Sequence, residues 1–162
     1  MRIFLRRLIS APQDRRIKSG ILSRRMQPTF GFREHAHTAD WELEVWAPNL
    51  SGLLEQAARG MYSMAGTKLD ASVLQECKVN LHASDPESLL VQFLTELLWM
   101  EQEDKLGIDH FSINVDDHYS LRAELMGAKI LSLDKEIKAV TYHNLKVENT
   151  QHGLHVNIVF DV

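Results

Sequence analysis

The sequence holds a single cysteine, Cys77, so no internal disulfide can form, and there is no Cys-x-x-Cys pair to hold a structural zinc. That scarcity suits a reducing compartment, and a cytoplasmic location is expected. Cys77 sits in an alternating stretch, where a small buried thiol is the simplest reading. No apolar run approaches the roughly 18 residues needed to span a bilayer, so a membrane span is not expected. Walker A, Gly-x-Gly-x-x-Gly and Gly-x-Ser-x-Gly patterns are all missing, so phosphate cradling and serine hydrolysis lose their usual signatures. There is also no internal repeat and no regular βαβ alternation.

What is present fits one domain: 162 residues of ordinary composition, with 44% hydrophobic and 25% charged residues. Charge is unevenly placed. Residues 1–28 carry eight Lys or Arg against one acid, Asp14, a net of +7, while the rest carries ten basic and twenty-one acidic residues, a net of −11. The basic leader lacks the long apolar core and small-residue cleavage site of a secretory signal, although its Arg-rich, acid-poor character is that of some transit peptides. A simpler reading makes it a disordered tail, or upstream sequence preceding a start at Met26. The expected organisation is therefore a leader over 1–28 and one folded domain over 29–162. An acidic domain is poorly suited to binding a phosphate backbone unaided, so a protein partner or a bound cation is the better expectation.

Phe30-Gly31-Phe32 and Trp41–Ala47 alternate as strands, the second with Trp41, Leu43, Val45 and Ala47 on one face. Trp46 falls on the other face, either as an exposed contact or as core against a second sheet. Pro48 breaks the strand, and Asn49 is placed to cap a helix whose Leu50, Leu53, Leu54, Ala57, Ala58, Met61 and Tyr62 recur at three and four, with Gly66 as its stop. Ser72–Ala83 alternates again, putting His82 on the wet side. A second helix starts at Ser84-Asp85-Pro86-Glu87, through a Ser84–Glu87 capping box or with Asp85 as cap and Pro86 in the first turn. It runs to about Gln102, and its rows Leu89/Phe93/Leu97 and Leu90/Leu94/Leu98 mark the centre of the core. Hairpins follow around Asp116-Asp117-His118 and around Asn149–Gly153, the second pairing Val140–Glu148 with Leu154–Val162. The sum is an α+β fold: a largely antiparallel sheet of about seven strands with two helices.

Between the first two strands lies Glu34-His35-Ala36-His37-Thr38-Ala39-Asp40, the densest group of metal-ligand types in the chain. The bland alternative is a polar turn. Three polar groups could converge: this knot, the stretch Thr141, Tyr142, His143 and Lys146, and the final pair Asp161 and Val162. The α-carboxylate of Val162 would add a third anionic group beside Asp40 and Asp161, and a hard divalent ion is the natural neutraliser of such a cluster. His37, His143 and Lys146 are candidates for support behind the ligands or for contact with a partner.

His37-Thr38-Ala39-Asp40, the run Glu136-Ile137-Lys138-Ala139-Val140-Thr141-Tyr142-His143-Asn144-Leu145-Lys146-Val147 and the ending Val159-Phe160-Asp161-Val162 together resemble the archease family over residues 29–162. The resemblance implies a small α+β accessory protein, not itself an enzyme, that activates an RtcB-type RNA ligase by promoting its guanylylation and turnover in tRNA splicing and RNA repair. RNA would be met only through the ligase. It also implies a divalent cation, calcium or else magnesium, held by Asp40, Asp161 and the Val162 main chain. The family usually has a longer loop with Lys-His before the block that starts at Ile137, whereas residues 127–138 hold Lys129, Lys135 and, already inside that block, Lys138, with no histidine, and this bears on how activation is arranged. The sequence leaves the oligomeric state open. The rival is a small metal-dependent hydrolase using His35, His37 and Asp40, since His-x-His followed by Asp is superficially similar to metallo-β-lactamase ligands; the final Asp-His of that pattern is missing.

Because the leader has no periodic apolar face to dock, deleting residues 1–25 is expected to leave the melting temperature within about 2 °C of the full chain, measured by circular dichroism. A fall of several degrees, equivalent to more than ~1 kcal/mol, would make the leader part of the fold.

Overall fold

The computed structural model describes residues 28–36 and 41–162. The leader up to residue 27, and the stretch 37–40 with His37 and Asp40, lie outside the described residues. Among the described residues there are eight strands: β1 (Gly31–Ala36), β2 (Trp41–Ala47), β3 (Lys68–His82), β4 (Leu106–Val115), β5 (Ser120–Ser132), β6 (Ala139–Val140), β7 (Glu148–Thr150) and β8 (Gly153–Asp161). Two α-helices, α1 (Leu50–Met64) and α2 (Pro86–Trp99), complete the fold, α2 continuing into a π-helical turn at Met100–Asp104. All strand pairs are antiparallel, as the α+β reading expects. They form two sheets rather than one, a five-stranded sheet ordered β1-β2-β8-β6 with β7 also on β8, and a three-stranded sheet β3-β5-β4.

The helices join the two sheets. α1 packs on β1, β2 and β8 of the first and on β4 of the second, while α2 packs on β6 and β3. Both begin as their sequences dictate. Asn49 Oδ1 accepts from Gly52 N at 2.9 Å, and α1 stops where Gly66 takes φ 62°. At α2 the cap is Asp85, whose Oδ1 accepts from Ser88 N at 2.7 Å; these bonds hold its carboxyl below the usual carboxylate range. The Ser84–Glu87 box does not form, because Glu87 Oε1 instead accepts from Val147 N at 2.7 Å and ties α2 to the segment before β7. All six residues of the two Leu/Phe rows are buried, none more than 3% exposed.

Against them stand Leu43, Val45, Ala47, Val156, Ile158 and Phe160 from the first sheet and Val79, Leu121, Ala123 and Leu125 from the second. Gly60 lets α1 approach β2 closely: a Cβ there would lie 2.6 Å from Leu43 Cδ2. Cys77 is half-buried, and burial pushes its thiol up, consistent with inertness. His82 is exposed as expected. Trp46 is neither fully exposed nor core. Its Nε1 donates to Pro28 O at 2.9 Å, its ring packs on Gly31, and Arg33 lies over it. Among the described residues no helix is long and apolar enough to cross a membrane.

Several expected strands have different bounds; β3 begins at Lys68 instead of Ser72, and β4 at Leu106 instead of Phe111. β5 runs on to Ser132, so the loop before β6 is confined to residues 133–138. The expected strand Val140–Glu148 is broken into β6 and β7 by a turn in which Asn144 takes φ 51°, Leu145 N donates to Tyr142 O at 3.2 Å and His143 N donates to Thr141 Oγ1 at 3.3 Å. The Thr side chain competes there with the ladder for backbone donors.

The π-helical turn buries Glu101 to 2% exposure, and neither carboxylate oxygen has a hydrogen-bond partner among the described residues. Burial, aided by the Glu136 charge and partly opposed by Lys105, pushes its carboxyl up to about 7. Its stabilising, neutral form is fully present below the unfolded value of 4.5 and is lost as pH rises through about 7. Glu101→Gln is therefore expected to raise the melting temperature by several degrees at pH 8, at most ~3 kcal/mol, and by much less at pH 5. Equal effects at both pH values, read by thermal denaturation, would count against an ionisation cost at this position.

Candidate functional site

The candidate site lies where the end of β8 meets the start of β2. Strand alternation sends Val156, Ile158 and Phe160 inward, so Asp161 emerges on the opposite, wet face. Asp161 is exposed and Val162 half-buried. No hydrogen bond or ion pair holds the Asp161 carboxylate among the described residues. Its main chain, by contrast, is fixed: Lys138 N donates to Asp161 O at 2.8 Å, and Thr141 N and Oγ1 both donate to Val159 O at 3.0 Å. Lys138 Nζ reaches Val162 O at 3.2 Å. Nearby, Lys135 Nζ sits 4.3 Å from the centroid of the Trp41 ring.

On the other side of the corner, Ala36 pairs with Trp41 and Trp41 with Phe160. The residues preceding Trp41 and following Phe160 thus leave the same rung of the ladder. Chemically the corner offers hard oxygen donors, an unengaged carboxylate and a main-chain oxygen, the donor type that suits calcium and magnesium better than zinc. Among the described residues no three His, Cys, Asp or Glu side chains gather into a metal-holding group.

The other sequence candidates fall elsewhere. His143 is exposed and its ring meets Asn144 Nδ2 at 3.1 Å, Lys146 pairs with Glu148 at 3.3 Å, and Tyr142 is exposed; none bonds Asp161. Of that stretch only Thr141 is brought to β8. His35 is not in a turn but in β1, where its Nε2 meets Glu44 Oε2 at 3.0 Å. His155 Nε2 meets the other oxygen at 3.2 Å, and Arg33 Nη1 lies 3.3 Å from Oε2. Partial burial raises the Glu44 carboxyl, but the bonds to His35 and His155 and the Arg33 charge more than offset it, leaving the group below its ordinary value. Sequence reasoning missed this cluster. Glu44 was legible as an outward residue of its strand, but His155 joins it only through the β2–β8 register.

The family profile of the Archease protein family (MTH1598/TM1083) matches residues 32–162. The chain belongs to the archease family. Among its relatives, the protein archease of Methanosarcina barkeri is 30% identical over 136 residues, covering 78% of this chain and 92% of that protein. The protein archease of Methanosarcina mazei is 31% identical over 134 residues with the same coverage. The solution structure of Methanobacterium thermoautotrophicum protein 1598 superposes with a TM-score of 0.61, covering 82% of this chain and 99% of that one. At 23% identity that likeness concerns the fold.

With both Glu44 oxygens occupied by imidazoles, a zinc site at His35 of this archease-family chain would first have to break that cluster. His35→Ala is expected to leave divalent-ion affinity within about twofold of the starting protein, by isothermal titration with calcium and with zinc. Tight zinc binding that His35→Ala abolishes would revive the hydrolase reading.

Proposed function

We propose that this protein is a cytoplasmic accessory factor that activates an RtcB-type RNA ligase, promoting the ligase's guanylylation and turnover in tRNA splicing and RNA repair. On this reading it holds a divalent cation, calcium or magnesium, through Asp40, Asp161 and the main-chain oxygen of Val162, and carries no catalytic residue of its own. The family membership supports the partner. The observation that carries the site is the Trp41–Phe160 pair. In sequence Asp40 adjoins Trp41 and Asp161 adjoins Phe160, so the two acids flank one rung of the β2–β8 ladder along the chain. Two carboxylates so tethered, with an oxygen that already accepts from an ammonium, form a donor set that a hard cation fits.

When bound, such an ion would neutralise the clustered carboxylates and fix the β1–β2 connection against the end of β8. The chain's own part is to hold the oxygens in register and to present that corner to the ligase. The hydrolase alternative is weaker, because His35 is committed to Glu44.

Asp40→Ala and Asp161→Ala are expected to abolish stimulation of the ligase in a multiple-turnover RNA ligation assay while circular dichroism stays that of the unsubstituted protein. Calcium at ~100 times its Kd should stabilise the unsubstituted chain by about 2.7 kcal/mol and neither variant. Full stimulation by the folded variants would refute the site.

A further inference from the structure

The corner at Val162 already contains a cation of its own. Lys138 directly precedes the Ala139–Asp161 pair of the β6–β8 ladder, and its ammonium lies 3.2 Å from Val162 O. The backbone carrying it is held firmly. Asp134 N and Lys135 N both donate to Ala65 O, at 2.9 and 3.2 Å, Ile137 is fully buried, and Ile137 O accepts from Gln102 Nε2 at 3.3 Å. Only the exposed lysine side chain is free to swing, on a four-carbon stem with several rotamers. The second lysine of the segment, Lys135, is occupied differently, over the face of Trp41.

An ammonium and a divalent ion cannot both sit on one oxygen beside one carboxylate, because their charges repel at that range. We propose that Lys138 is the built-in counter-cation of this corner, and that a divalent ion binds by displacing its ammonium from Val162. This rests on the cation reading given above and adds to it the residue that sets the affinity. It also makes occupancy an exchange of positive charges: the ion-free corner carries a lysine paired to the main chain, and the ion-bound corner releases that ammonium to solvent. Lys135 takes no part, since its ammonium is held on an aromatic face and not on a ligand oxygen.

The test is calcium titration of the full chain by isothermal calorimetry, on the unsubstituted protein, Lys138→Gln, Lys135→Gln and Asp161→Asn, each checked by circular dichroism. Loss of a competing surface ion pair should tighten calcium binding by Lys138→Gln roughly fivefold, with Lys135→Gln within about twofold and Asp161→Asn greatly weakened. In the unsubstituted protein, calcium should increase labelling of Lys138 by an amine-reactive reagent, read by peptide mass spectrometry. If Asp161→Asn loses binding but Lys138→Gln binds no tighter, or Lys138 labelling is unchanged at saturating calcium, the displacement is wrong while the cation site stands. If no protein binds calcium, or Asp161→Asn binds it as well as the unsubstituted chain, the cation reading falls and this inference falls with it.

Discussion

The pairing of β2 with β8 is the constraint on which the rest of the structure depends. It joins Trp41–Ala47 to Leu154–Phe160, segments separated by most of the domain, so its loop-closure entropy is large and must be met by what the pairing buries. The inward rungs Leu43–Ile158 and Val45–Val156 meet the helices with no exposure at all. A slip of one residue would turn these side chains to water and bring Glu44 and Asn157 inside, so the register is specified strongly. The five-stranded sheet is then built outward from this pair, with β1 on one side and the short β6 and β7 on the other.

The same register organises the polar chemistry. Outward positions of β1, β2 and β8 bring Arg33, His35 and His155 around the Glu44 carboxylate, a cluster that ties three strands together across the wet face. One end of the same pair sets Trp41 against Phe160 and delivers Asp161 and Val162 beside Lys138. Packing and the candidate site are therefore coupled through one ladder: what fixes the core also fixes where the Asp161 and Val162 oxygens emerge. The short segment 133–138 contributes to both, burying Ile137 while it carries Lys135 and Lys138 to the corner. This crossing is anchored by its backbone, and both of its lysines are engaged, Lys135 over Trp41 and Lys138 on Val162.

Polar groups left without partners show where the fold accepts a cost. Glu101, Tyr62 and Thr67 all carry buried oxygens that make no hydrogen bond among the described residues, and Tyr62 is pushed up by its burial and by the neighbouring Glu101 charge. Glu101 lies in a π-helical turn, a form that proteins retain mostly where something other than helix stability is at stake. With its carboxyl pushed up to about 7, Glu101 makes the end of α2 sensitive to pH.

The sequence by itself determined the elements whose causes are local. Asn49 and Asp85 announce helix starts because a short side chain there takes up orphan backbone donors, and the Leu/Phe rows of α2 announce its buried face because helical spacing repeats along the chain. The family and the α+β class were legible for the same reason, from contiguous blocks and alternating runs. The break at Asn144 was not, since alternation continues through Thr141–Val147 while a threonine side chain and a left-handed residue divert the backbone. Division into two sheets, the capture of Glu87 by Val147, the His35–Glu44–His155 cluster and the seat of Lys138 on Val162 were decided only by tertiary structure. Each joins residues far apart in sequence, and no local propensity records which strand lies beside which or in what register. Periodicity tells which face of a strand is wet; only the assembled sheet tells what shares that face.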